Sequence, residues 1–306
     1  MTEVNTSKEE EVIAKLDTFD ELPDAPPKRR IKLSWIGKIS VVVVILWLII
    51  VIIGPYIAPF HEMDIEGDDG FLDAYSGEYG TFYLGTDYLG RDTFSRVLWG
   101  ARNTIGISLL ATALAYAIGI TLGILAAVKG GWIDMLISRV NDAILALPTI
   151  MLGLIVIAAL GSSIPILIGT AAIIYATSVY RIARALGQDI MVQDFVEAAR
   201  ARGEGVWWII KSEVLPNAAM PLATDFGLRL VFVVLFISSL SFLGLGVQPP
   251  ASDWGSMVRE NLAGLTYGSY AAIWPALAIA SFTIAVNLIV DDISAKSGGS
   301  LAKKMV

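Results

Sequence analysis

Long apolar runs alternate with shorter polar stretches along this chain. Apolar residues dominate 33–53, 103–128, 134–161, a run ending by Arg181 and Arg184, 221–243, and 271–290. Each is close to the ~20 residues that carry a helix across a bilayer. The apolar positions cluster rather than alternate, so strands are not expected. Backbone groups inside lipid need internal partners, which helices supply. The pattern therefore predicts an all-α integral membrane protein with about six transmembrane helices. Two polar stretches stand out: 55–95, rich in Gly, Asp and Tyr, and the charged loop 188–216 between the fourth and fifth spans.

Charge gives direction. Lys28, Arg29, Arg30 and Lys32 precede the first span, which places its start in the cytoplasm, and six crossings return the C-terminus there. Arg139, Arg181, Arg184, Arg200, Arg202, Lys211 and Arg229 then lie on or near the inner side. Arg91, Arg96, Arg102 and Arg259 fall outside as exceptions. The first span is not a cleavable signal, because its leader is long and acidic and Gly54-Pro55 is no cleavage site. The expected organisation is an acidic, mobile cytoplasmic tail (1–32), a first helix with an external segment (33–95), a five-helix core (96–292) and a second cytoplasmic tail (293–306).

Within the second span, Gly106, Gly119 and Gly123 with Ala111, Ala113, Ala115 and Ala117 predict close helix packing. Pro148 should kink the third span or loosen its first turns. Arg139 with Asp142, and Asp225 with Arg229, stand at helical spacing near the inner boundary and are expected to pair locally as anchors. Asn287 is expected to bridge helices.

In the loop, Ile190, Met191, Phe195 and Ala198 fall near one helical face, and Gln193, Asp194, Glu197 and Arg200 on others. Gly203 and Gly205 should end that helix. A second short helix is expected over 206–214, with Trp207 and Trp208 at the membrane interface, and Pro216 should interrupt it before the fifth span. Pattern alone fits either a helix lying on lipid or one that meets another protein.

Composition narrows the function. The chain is 55% hydrophobic and only 17% charged, below the charge of an ordinary soluble domain. It has no basic face to bind nucleic acid. The absence of cysteine excludes disulfides and thiolate chemistry, and a single histidine, His61, expected to face solvent, is too few for a histidine metal site. Asp87, Arg91 and Asp92 lack an accompanying base, nucleophile or metal cluster, so no catalytic residues are assigned. Without a G-x-x-x-x-G-K-[ST] loop, the chain should not cradle ATP phosphates.

Several separated motifs carry a resemblance: Leu84-Gly85-Thr86-Asp87-Tyr88-Leu89-Gly90-Arg91-Asp92 with Ser95-Arg96 and Gly100-Ala101-Arg102; Glu197-Ala198-Ala199 with Gly203 and Leu215-Pro216-Asn217; and Ser241-Phe242-Leu243-Gly244-Leu245-Gly246 with Pro249-Pro250 and Trp254-Gly255. From about residue 33 to 291 the chain resembles the C-type permease subunit of dipeptide/oligopeptide/nickel ABC importers, with a type I importer fold in the bacterial inner membrane. The resemblance implies that Glu197, Ala198, Ala199, Gly203, Leu215 and Pro216 couple to an ATPase. It implies that Gly85, Thr86, Asp87, Gly90, Arg91 and Asp92 form an external signature, meeting the sister permease or the binding protein. It further implies a heterodimer with that sister permease, two ATPase subunits that hold ATP and Mg, and an extracytoplasmic solute-binding protein. Peptides are the substrate expected, with nickel complexes or oligosaccharides as alternatives. Glu213 stands where the family usually has a hydrophobic residue or histidine, and Val290-Asp291-Asp292 where a glycine usually precedes the first aspartate. A stand-alone ion-coupled transporter is the other reading; it would want acidic residues near the midplane.

Overall fold

The computed structural model describes residues 33–65, Tyr75 and 82–302. The N-terminal tail, most of 66–81 and the last four residues lie outside the described residues. Ten α-helices account for nearly all of what is described: α1 (Trp35–Ile57), α2 (Thr93–Lys129), α3 (Gly131–Leu145), α4 (Thr149–Leu160), α5 (Ile164–Met191), α6 (Asp194–Ala201), α7 (Val206–Ile209), α8 (Leu215–Phe242), α9 (Trp254–Asn261) and α10 (Ile273–Ala302). A π-helical turn, Ile210–Val214, joins α7 to α8, and a 3₁₀ turn, Leu262–Tyr267, follows α9. The only strand-like pairing among the described residues is the single bridge between Thr86 and Asp92. Among the described residues five helices are long and apolar enough to cross a membrane, the 206–242 stretch counted as one, and a sixth span results if α3 and α4 are taken together.

The centre of the bundle is the pair α2 and α5, the most extensive helix contact in the chain. Small residues make the approach possible. A methyl group on Gly119 would fall 2.6 Å from Val179 Cβ, and one on Gly123 would fall 2.7 Å from the Tyr180 carbonyl oxygen. Ala111, Ala115, Ala126, Ala171, Ala172 and Ala183 are buried around this seam. α8 packs against both helices and against α10, so α2, α8 and α10 share one core around Ile105, Trp254 and Phe282. α1 lies on α2 and α10 with most of its apolar side chains exposed, the pattern of a helix that faces lipid. Its start is tied to the far end of the chain: Ser34 N donates to Asp292 Oδ2 at 2.8 Å. The double aspartate at 291–292, expected to bear only on the end of the last helix, lies inside α10 and ties it to the start of α1.

Four sequence expectations change. The third span is a broken one: α3 and α4 meet at 89° across 146–148. Pro148 keeps Leu147 out of helical conformation and starts α4 afresh, a sharper outcome than a kink. α4, with 12 residues, is about 18 Å long and cannot cross a ~30 Å core alone. Pro216 does not interrupt the helix. Residues 206–242 run as one helical rod, because the wider π turn lets Leu215 N bond to the Ile210 carbonyl just before the proline, where no N–H is required. Arg139 and Asp142 are both exposed and do not pair; Arg184 on α5 instead holds Asp134, with its Nη2 2.5 Å from Oδ2. Asn287 is half-buried and makes no hydrogen bond among the described residues, so it bridges no helices there.

Candidate functional site

Two groups of sequence-selected residues lie at opposite ends of α2 and α8. One gathers at the loop between α5 and α8. The other gathers where α2 begins and α9 packs.

The loop group is built on α6. Its last turn is closed by a Schellman arrangement: Gly203 N bonds to the Arg200 carbonyl at 2.9 Å and Glu204 N to the Ala199 carbonyl at 3.1 Å. This requires the left-handed conformation, and Gly203 has φ of +84°. Among the described residues nothing crowds a side chain there, so glycine is demanded by backbone conformation. Val196 and Ala199 are fully buried, Val196 in one cluster with Ile124 of α2, Ile209, Ile210 and Val214. The buried face of α6 thus differs from the one expected. Ile190 and Met191 pack against this cluster, but Phe195 and Ala198 are exposed. The i, i+3 spacing of Val196 and Ala199 was the signal that would have identified it. Glu197, Ala198, Gly203, Leu215 and Pro216 all reach the surface, while Ala199 faces inward. Around them Val192, Val206 and Trp207 are exposed, and Arg202 lies over the Trp208 ring at 5.7 Å. Glu213 is half-buried at the π turn, where its carbonyl accepts from Asn217 Nδ2 at 2.7 Å.

At the other end, the 85–92 segment forms a tight double turn with Gly85 and Gly90 at φ of +75° and +79°. Asp87 organises it. Its Oδ1 accepts from the Leu89 and Arg91 backbone N–H groups at 2.8 and 2.9 Å, and its Oδ2 accepts from Arg91 Nε at 2.8 Å and from Arg96 Nη1. Both guanidinium groups also reach Glu260 on α9, Arg91 Nη2 at 3.4 Å and Arg96 Nη2 at 3.2 Å. Asp87 is 0% exposed and Arg96 2% exposed, with Arg91 and Glu260 at the edge of the cluster, so two cations and two carboxylates neutralise one another in a largely buried place. Arg91 and Arg96 looked like exceptions to the charge bias; counting Asp87 and Glu260 removes the anomaly. Asp92 caps α2, accepting from Ser95 N at 2.8 Å, and Thr86 bridges to it.

The same end is sewn to α9 through Thr104. Its hydroxyl donates to Asp253 Oδ1 at 2.7 Å and accepts from Trp254 N at 3.0 Å. Asp253 caps α9 through Ser256 N at 3.1 Å. Burial pushes the Asp253 carboxyl up, against the pull of the hydrogen bonds it accepts. Trp254, completely buried, donates to the Val97 carbonyl and stands edge-on to Trp47 at 4.9 Å. Glu62, Glu260 and Asn261 belong to this construction but carried no sequence signal of their own. Their partners lie 164 or more residues away for Glu260–Arg96, 190 for Glu62–Ser252 and 173 for Asn261–Tyr88. His61 is exposed as expected, with its ring 4.9 Å from that of Trp99.

Asp225 and Arg229 do pair as expected, Nε to carboxylate at 3.3 Å. Asp225 Oδ2 accepts from Tyr116 Oη at 2.5 Å, and Tyr116 stands in the middle of the uncharged 103–128 run of α2. The pair, partly buried, is therefore tied to the middle of the apolar α2 run.

Among the described residues no group of three or more His, Cys, Asp or Glu side chains is arranged to hold a metal ion. Residues 119–295 match the family described as "Binding-protein-dependent transport system inner membrane component". The chain is 33% identical over 248 residues to the "Glutathione transport system permease protein GsiD" of Pectobacterium atrosepticum, covering 81% of each protein. It is 35% identical over 263 residues to the protein of the same name from Escherichia coli O157:H7, covering 86% of each. A solved structure titled "Crystal structure of an amino acid ABC transporter with histidines" superposes with a TM-score of 0.49 at 17% identity, over 65% of this chain and 92% of that one. Extended similarity to named permeases, across the helical core and both motif-bearing ends, gives the assignment: this chain belongs to the binding-protein-dependent inner-membrane components, as a C-type permease subunit of the dipeptide/oligopeptide/nickel family of ABC importers, without an ATPase site of its own.

Proposed function

We propose that this subunit forms half of a translocation path for small peptides of the glutathione class, delivered by a solute-binding protein, and that α6 transmits ATP-driven motion into the bundle. The family works in general with a partner permease, ATPases and a binding protein; here we infer a heterodimer with a sister permease, two ATPases at the α6 end, and the binding protein or sister subunit at the 85–92 end. Both termini would lie in the cytoplasm. One observation carries the coupling reading. α6 exposes Glu197 and Ala198 on one side while on its other, buried side Val196 is locked to Ile124 of α2 and to Ile209, Ile210 and Val214 at the start of the 206–242 rod. A push on the exposed side is therefore delivered to two core helices as a rigid-body displacement. The chain carries no ATPase, so the two states must differ in contacts rather than in chemistry performed here. The names of the relatives support the peptide class.

The native sequence has no cysteine, which makes single-cysteine cross-linking clean. Ala198→Cys should cross-link to a cysteine placed on the ATPase surface, with a yield that changes when nucleotide is bound. Absence of any such product, with the complex otherwise assembled, would refute the coupling role. Gly203→Val should abolish labelled glutathione or dipeptide uptake while the protein still inserts. The left-handed turn costs a β-branched residue roughly 1–2 kcal/mol, and the added bulk faces outward where the partner would sit. Normal uptake by that variant would count against the reading.

A further inference from the structure

We infer that Arg229 is a carboxylate-binding fork in the translocation path, held ready by Asp225 and Tyr116; this rests on the peptide-import reading above. Arg229 stands on α8 one turn after Asp225, and roughly 15 Å of α8 precede the pair while about 20 Å follow it. Tyr116 fixes the depth, since its hydroxyl bonds to Asp225 from the centre of the uncharged α2 run. The carboxylate is engaged twice, by Tyr116 Oη and by Arg229 Nε. The guanidinium is engaged once. Its Nε faces Asp225 and its plane lies 5.9 Å from the centroid of Phe232, but its two terminal nitrogens have no hydrogen-bond partner among the described residues. Four N–H donors are thereby left in the geometry that matches a carboxylate edge-on.

Lipid cannot satisfy such a group at this depth. The side chain must therefore look onto water, a ligand or another polar chain. It has room to do so. The Arg229 side chain is 21% exposed, Phe232 beside it is exposed, and an open groove of about 530 Å³ runs past Leu222, Phe226 and Tyr116, the residue that holds Asp225. Aromatic rings frame the charge: Tyr116 is edge-on to Phe226 at 5.0 Å, and Tyr175 on α5 donates to the Phe232 carbonyl at 3.0 Å. A neutral ion pair can be placed in the bundle far more cheaply than a lone arginine, and its acid end is already saturated. What remains on offer is a cation-type hydrogen-bonding fork. The ligand class it selects is a carboxylate-bearing solute, such as a peptide through its C-terminus. Asp225 and Tyr116 act as positioning residues.

The test uses the complete importer in proteoliposomes with labelled trialanine. Replacing one charge-assisted fork should lower peptide uptake per ATP hydrolysed by about ten- to a hundredfold in Arg229→Gln, with ATPase stimulation by the loaded binding protein retained. Arg229→Lys, which keeps the charge and loses the fork, should fall between. A second readout uses a single cysteine at Thr224, next to the pair. Its maleimide labelling should be slowed by trialanine but not by trialanine amide, both added directly. Wild-type uptake in Arg229→Gln, equal protection by acid and amide, or loss of the sister subunit from both Arg229 variants would overturn the assignment, the last by making Arg229 an interface clamp. If the wild-type importer takes up neither trialanine nor glutathione, the peptide reading itself fails. In that case the labelling of Thr224→Cys still decides the fork.

Discussion

The two charged groups of this bundle, Asp87–Arg91–Arg96–Glu260 and Asp225–Arg229, are built from the same residue types and differ in closure. In the first, each guanidinium meets both carboxylates, Asp87 also holds two backbone N–H groups, and every charge has an opposite partner. In the second, the carboxylate is satisfied and half of the guanidinium is not. A closed network in a desolvated place fixes one geometry, because any rearrangement exposes an unpaired charge. An open one stores capacity for another partner. Closure therefore separates a clamp, joining the 85–92 turn to α2 and α9, from a site that can act on cargo.

The sharpest way to break this comparison is at Asp87. Asp87→Ala strands two buried arginines with Glu260 alone, and removing one member of a buried ionic network costs about 3–5 kcal/mol. The variant should fail to yield an assembled complex, or should melt far below wild type by fluorescence-detected size exclusion. A stable, fully active Asp87→Ala protein would mean that the network is not the clamp described. Tyr116→Phe probes the open pair more gently. It removes one hydrogen bond to a charged acceptor, worth about 1.5–3 kcal/mol at most. The complex should assemble, melt slightly lower, and take up peptide more slowly because Asp225 no longer holds Arg229 in place. A larger melting shift than that of Asp87→Ala would reverse the ranking of the two groups.

How legible this was in the sequence depends on how local each feature is. The span count, the close packing of α2 at Gly119, Gly123, Ala111 and Ala115 (though not at Gly106, Ala113 or Ala117, which lie off the seam) and the turn at Gly203 followed from period, residue size and backbone preference acting over a few residues. Pro148 and Pro216 show where that logic stops. Both remove an N–H and disfavour helix behind them, yet one lies at an 89° break and the other inside a continuous rod. The difference is the π turn at Ile210–Val214, set by packing of Ile209, Ile210 and Val214 on α2 and α6, which no local propensity announces. Likewise Asp87, Arg91 and Arg96 were visible as a motif, but Glu260 could be found only by asking what neutralises two arginines on the wrong side of the charge bias.

The smallest expected effect makes the same point from the other direction. Arg139 with Asp142 and Asp225 with Arg229 look alike in sequence, a base and an acid within one helical turn. The first has the base N-terminal at i, i+3. The second has the acid N-terminal at i, i+4, the spacing and order that helix geometry and dipole favour. Only the second pairs, and Tyr116 reinforces it from another helix. Arg139 and Asp142 point away into exposed positions, while the neighbouring Asp134 is taken by Arg184 from α5. Arg139→Ala should accordingly leave melting temperature, assembly and peptide uptake indistinguishable from wild type, and Asp142→Ala should do the same. A measurable loss in either would show that the exposed face of α3 has a partner in the assembled importer, and would move that face from the lipid-facing surface to an interface.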